Sequence, residues 1–118
     1  MKLVRQPSGS NLCGQACVAM VCDIELEEAI ELVGSRGKTV TKQLKEALTS
    51  QGVKTSERRV LGFPEEGSAL LFWKSGNDLR HWTVWHKNKH YDPNAGVFRD
   101  TPRYLLNARV TSHLKIYG

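Results

Sequence analysis

The feature that most constrains this chain is the run Cys13-Gly14-Gln15-Ala16-Cys17-Val18-Ala19-Met20-Val21-Cys22, in which only Gln15 is strongly polar. At helical spacing Cys13, Cys17, Met20 and Ile24 form one stripe, while Ala16, Val18, Ala19 and Val21 cover most of the other faces. A helix that is apolar all round must be enclosed by protein, so the rest of the chain has to supply a layer that covers it. Ser10 or Asn11 stands where an N-cap is expected, after a Pro7-Ser8-Gly9-Ser10 loop.

Asp23 reads as the cap of a second, acidic helix reaching about Val33, with Leu26, Ala29, Ile30 and Val33 inward and Glu25, Glu27, Glu28 and Glu31 outward. Thr41 opens a third helix that turns Leu44, Ala47 and Leu48 inward and stops at Gly52. Beyond Gly52 the pattern changes to strands: a polar edge strand over 53–60, then a loop over 62–67. The apolar run 68–73 has the composition of a central strand covered on both faces. Ser75-Gly76-Asn77-Asp78 turns the chain into a strand over 80–86, followed by a tight turn at Asn88-Lys89 and a short strand over 90–92 that stops at Pro93. A helical turn near 102–106 and a last strand over 108–117 complete the chain. Helices first and strands second predict an α+β fold, with the buried N-terminal helix packed on an antiparallel sheet. The 118 residues fit one domain, 1–118, helical over about 11–52 and sheet over about 53–118.

With 40% hydrophobic and 25% charged residues, the composition excludes a disordered or collagen-like chain. The N-terminal residues lack the apolar run of a secretory signal, and 69–73 is far too short to cross a bilayer. Three cysteines within one short segment make a poor disulfide framework, so a reduced, cytoplasmic chain without a membrane anchor is expected. The net charge of +5 is uneven: two bases and five acids up to Ser35, then fifteen bases and seven acids. The later bases are scattered singly, a pattern of solvated surface rather than of a nucleic-acid site, although an acidic protein partner would suit the charge.

A cysteine at the mouth of a buried helix has a chemical use. Unpaired N–H groups and the positive dipole end favour a thiolate there, and an adjacent glycine leaves room for a substrate backbone. Cys17 and Cys22 fall inside the apolar helix and read as small core residues; Cys13 reads either that way or as a nucleophile. A nucleophile needs a base, and a base needs an orienting group. His81 opens a strand after a turn, and alternation puts His81, Thr83 and Trp85 on one face and Trp82, Val84 and His86 on the other. His86, His90 and His113, among charged or polar neighbours, read as surface residues. Cys-x3-Cys-x4-Cys is not a zinc-finger spacing, so neither a metal nor another cofactor is expected. Trp73, Trp82 and Trp85 read as packing residues or cleft walls.

Together these residues resemble a family. Gln6, a polar loop and Asn11-Leu12-Cys13-Gly14-Gln15-Ala16-Cys17-Val18-Ala19-Met20-Val21 are similar to the nucleophile segment of papain-like cysteine peptidases. The likeness is greatest to the family that removes double-glycine leaders from bacteriocins. His81-Trp82-Thr83-Val84-Trp85 and Tyr91-Asp92-Pro93-Asn94-Ala95-Gly96 follow in the family's order. The resemblance spans Gln6 to Gly96 and implies a papain-like fold and a cysteine peptidase that cleaves a peptide or protein substrate through an acyl-enzyme. Cys13 would be the nucleophile, His81 the general base, Asp92 the group that orients the imidazole, and Gln6 a donor to the oxyanion hole.

Three positions depart from the family's pattern. Gln6 lies seven residues before Cys13, one more than usual, and Gln15 stands where relatives often have proline. A two-residue turn at Asn88-Lys89 sets Asp92 opposite Trp85, roughly 13 Å from His81 along an ideal strand. Asn94, opposite Thr83 in that register, is then the alternative orienting residue. Related toxin-like domains use the same machinery on glutamine side chains, as deamidases or transglutaminases. An inactive binding module with a basic surface is the remaining alternative.

Overall fold

The computed structural model describes residues 1–76 and 78–117; Asn77, in the turn expected at 75–78, lies outside the described residues. Three helices come first: α1 (Cys13–Cys22), α2 (Leu26–Val33) and α3 (Thr41–Ser50). The strands are β1 (Lys54–Thr55), β2 (Val60–Leu61), β3 (Ser68–Lys74), β4 (Arg80–His86), β5 (Lys89–Asp92), β6 (Gly96–Phe98) and β7 (Arg109–Tyr117), with a 3-10 turn at Arg103–Leu105 before the last. All the pairings among the described residues are antiparallel, in the order β1-β7-β3-β4-β5-β6, and β2 also pairs with β7. This is the α+β arrangement that the sequence predicts.

The helix α1 is buried as its composition requires, with Gly14 through Met20 enclosed by β4, α2 and α3. Leu70, Trp82, Val84, Tyr91 and Leu114 of the sheet meet Cys17, Val18 and Met20 of α1 and Leu44 and Leu48 of α3. Fully burying a leucine such as Leu44 or Leu48 stabilises the fold by about 1.5–3 kcal/mol relative to leaving it exposed. A second cluster joins Ala69, Leu71 and Trp73 to Leu105, with Leu79, Trp85 and Val110 against it. The strand β3 lies between β7 and β4 with Ala69, Leu70 and Leu71 fully buried, the central position expected for it. Among the described residues no helix is long and apolar enough to cross a membrane.

Several local expectations are corrected. Neither Ser10 nor Asn11 caps α1: the N-cap is Leu12, without a side-chain bond. Asp23 does not start α2 but ends α1, in the left-handed conformation (φ 56°), and the Asp23 and Ile24 N–H groups return to the Ala19 carbonyl. Aspartate tolerates that backbone, and the tight reversal folds α2 back on α1; Glu25 then precedes the first turn of α2. The strand expected over 53–60 is two short strands on β7, interrupted at Ser56, whose hydroxyl accepts from Lys115 N–H and donates to the Arg58 carbonyl. Gly52 (φ 78°) does end α3, with Val53 N–H returning to the Leu48 carbonyl.

Gly14 does not open space for a substrate. It faces inward, where a Cβ would lie 2.4 Å from Thr39 Oγ1 and 3.0 Å from Leu44 Cδ2. Gly14→Ala should therefore cost about 1–3 kcal/mol as an overpacking change, read from denaturant unfolding. Thr39→Ala in the same chain should recover part of the loss.

Candidate active site

The turn between β4 and β5 decides whether the candidate residues meet. It comprises Lys87 and Asn88, both at positive φ (48° and 61°), rather than the expected Asn88-Lys89. Two consecutive positive-φ residues match the twist of a two-residue hairpin. The pairs are consequently His86 with Lys89, Trp85 with His90 and Val84 with Tyr91. One further step sets Asp92 across from Thr83, only two residues, or about 7 Å, along the strand from His81. The separation of roughly 13 Å expected from the other register does not arise.

His81 Nε2 lies 2.8 Å from Asp92 Oδ1, and the pair is almost sealed from water, with His81 7% and Asp92 0% exposed. The Cys13 side chain, at the start of α1, is near enough to the imidazole to help raise its pKa. With Nε2 turned to Asp92, Nδ1 is the nitrogen left for the sulfur. The Asp92 carboxylate is further held by its own turn, because Asn94 N–H donates to Oδ1 at 2.8 Å. Asp-Pro-Asn thus forms a side-chain-closed turn in which Asn94 secures Asp92 and makes no bond to the imidazole. Of the two candidates, Asp92 is the one whose side chain reaches the imidazole.

Burial pushes the His81 pKa down, but the hydrogen bonds to Asp92 and Cys13 and their charges outweigh it and raise it to about 9. Burial likewise pushes the Asp92 carboxyl up, and the His81 bond and charge, with the Tyr104 and Asn94 donors, bring it below its ordinary value. Complete burial drives the Cys17 thiol well up, reinforced by the Cys13 and Asp92 charges, and burial also raises Cys22. Cys17 is thus an inert core thiol, whereas Cys13 is partly exposed.

Gln6 is carried to the site by its backbone, whose N–H donates to the Pro93 carbonyl at 2.9 Å. The extra residue before Cys13 is absorbed by a turn in which Ser10 N–H returns to the Pro7 carbonyl and Gly9 takes φ 74°. The Gln6 amide donates to the Ser10 carbonyl at 2.8 Å and to Ser10 Oγ at 3.4 Å, both within this loop. Gln15 is fully buried and donates to the Ser35 and Gly37 carbonyls at 2.9 and 2.8 Å.

The other histidines depart from their expected places. His90 is buried, packed on Trp85 and Trp73 with Phe63 at its edge, and burial lowers its pKa. His113 is buried as well, and its Nδ1 donates to the Gly62 carbonyl at 2.7 Å. Charged neighbours on an alternating strand mark the opposite face, so they say nothing about the residue between them. Half-buried His86 bonds Ser68 Oγ at 2.8 Å. Among the described residues no group of three or more His, Cys, Asp or Glu is placed to hold a metal ion.

Sequence reasoning missed Tyr104. Its hydroxyl lies 3.0 Å from His81 Nε2 and donates to Asp92 Oδ2, and its ring meets the imidazole edge-on. A lone tyrosine in a C-terminal helical turn carries no motif, and only the three-dimensional fold brings it to the pair.

A buried helix with a cysteine at its mouth, set against an antiparallel sheet that carries a histidine and an aspartate, is the papain-like form of the α+β class. The fold is similar to that in the crystal structure of a double glycine motif protease from an AMS/PCAT transporter in complex with the leader peptide. The TM-score is 0.69 at 20% identity, over 98% of this chain and 91% of that one. No family model and no curated protein matches the sequence.

Because folded His81 holds its proton more tightly than the ordinary imidazole value of 6.5, it contributes stability that is complete below that pH and lost as pH rises through about 9. Denaturant unfolding from about pH 6 to pH 10 should show stability falling in the parent and a flatter profile in His81→Gln. The limb belonging to Asp92 is lost only as pH falls below the ordinary carboxylate value of 3.8.

Proposed function

We propose that this chain is a cysteine peptidase of one domain that cleaves a peptide bond through Cys13, His81 and Asp92. One observation carries the reading: the His81 imidazole is hydrogen-bonded to the buried Asp92 carboxylate at 2.8 Å and is near enough to the Cys13 side chain for the two to interact. That is the nucleophile, base and orienting group of a thiol hydrolase in sequence. The leader peptide held by the similar protease supports a peptide as the substrate class.

In this mechanism the Cys13 sulfur, as thiolate beside the imidazolium, bonds to the substrate carbonyl carbon. The carbonyl π electrons move to oxygen, and the negative charge is met by the Cys13 backbone N–H and by the Gln6 amide, turned from its bonds to Ser10. His81 gives its proton to the amide nitrogen as the C–N bond breaks, releasing an amine and leaving a thioester. Water then attacks the thioester with His81 taking its proton, and the departing sulfur frees the acid. Asp92 stays ionised throughout, holding Nε2–H so that Nδ1 faces the sulfur.

A peptide-like electrophile should add one mass equivalent to the parent at neutral pH, at Cys13, and none to Cys13→Ala. His81→Ala should label far more slowly, and Cys17 should be modified only after unfolding, as its burial requires. Equal labelling of all three thiols would overturn the proposal. On a cleaved peptide, Gln6→Ala should lower kcat by roughly 100- to 1,000-fold, as the loss of one oxyanion donor does. Ammonia release without chain cleavage would reassign the site to glutamine side chains.

A further inference from the structure

We propose that Tyr104 is a positioning residue of this site, acting through His81 and Asp92; the inference rests on the peptidase reading above. Tyr104 sits on the 3-10 turn Arg103–Leu105, and the two residues that flank its entry and exit, Pro102 and Leu105, are both buried. Leu105 is fully enclosed against Ala69, Leu71 and Trp73, so the turn is pinned to the sheet and Tyr104 is projected from a fixed base. The residue remains 43% exposed while its hydroxyl reaches inward to the His81–Asp92 pair. A side chain needed only to fill space would not have to carry that hydroxyl to two buried polar groups.

Counting hydrogens shows what the hydroxyl does. An ionised carboxylate only accepts, so the single Tyr104 O–H hydrogen goes to Asp92 Oδ2. The tyrosine oxygen then meets His81 Nε2, 3.0 Å away, with a lone pair. Asp92 Oδ1 meets the same nitrogen, at 2.8 Å, with another. Both neighbours of Nε2 therefore accept, and the proton is required on Nε2. That leaves Nδ1 as the nitrogen that exchanges a proton with Cys13. Asp92 alone would favour the same tautomer, but its second oxygen would be left buried without this donor and the carboxylate free to turn. With Tyr104, Asn94 N–H and Nε2–H all donating, both carboxylate oxygens are fixed. Burial and the Asp92 charge hold the Tyr104 hydroxyl protonated above its ordinary range, so it remains a donor wherever the site works.

A double-mutant cycle tests the assignment without a known substrate. The readout is the second-order rate at which iodoacetamide alkylates Cys13, followed by intact mass across pH, in the parent, Tyr104→Phe, Asp92→Asn and the double variant. Tyr104→Phe keeps the ring and should lower the rate roughly tenfold, on the scale of one lost hydrogen bond to a charged group. It should also move the acid limb of the profile to higher pH, because the Asp92 anion loses a donor. In the Asp92→Asn background the same change should alter the rate less than about twofold, since residues acting as one unit are not additive. Circular dichroism and the unfolding midpoint of each variant separate these effects from loss of fold. A Tyr104→Phe rate and profile equal to the parent's, or an equal loss in both backgrounds, would overturn the inference while leaving the peptidase reading intact. If the parent itself shows no selective alkylation of Cys13, that reading fails and the positioning role falls with it.

Discussion

The site depends on the register of one hairpin. Because the side-chain period of a strand is two, shifting the β4–β5 turn by one residue would move every cross-strand partner of β5 by two places along β4. With Lys87 and Asn88 in the turn, Asp92 reaches His81 Nε2 at 2.8 Å; with the turn one residue later it would face Trp85 instead. Two independent features hold the register. His90 is wedged between Trp85 and Trp73, and Tyr91 joins Trp82 and Val84 in the core beneath the helices. Slipping the hairpin would carry His90 and Tyr91 two places along β4, away from these partners.

Once the register is fixed, the electrostatics follow from burial. Asp92 is wholly enclosed, and a lone buried carboxylate would take up a proton rather than stay charged. It receives three donors, His81, Tyr104 and Asn94 N–H, and those interactions overcome the desolvation. The retained negative charge then raises the neighbouring imidazole, so the carboxylate and histidine stabilise each other's charged forms. Breaking one member of such a group leaves the other buried and uncompensated.

Much of this arrangement was legible in the amino-acid order. The all-round apolar run 13–22 demanded a buried helix, and the continuous run 68–73 demanded a central strand, because in both the burial pattern is written directly in the side chains. Cys13, His81 and Asp92 each occupied an ordinary position on its own, and the order of the three gave them meaning. Less legible were features whose causes lie far along the chain. Lysine has no particular preference for positive φ, so Lys87 did not announce the turn. His90 and His113 were obscured by charged neighbours that point to the other face. Tyr104 depends on Leu105 being drawn into a cluster formed by β3, a contact that no local pattern encodes.

Gln15 and Gly14 together hold the first turn of α1 in place. In the first helical turn the Gln15 backbone N–H has no intrahelical partner. Its side chain supplies a buried amide that spans to the Ser35 and Gly37 carbonyls in the loop between α2 and α3. One residue earlier, Gly14 lets Thr39 and Leu44 close on the helix without a Cβ between them. The mouth of α1 is thus clamped by a hydrogen-bonded amide and by close contact. A thiol placed on such a clamped first turn can wander little relative to the imidazole, and the precision of the hairpin is useful only because the helix is held in this way.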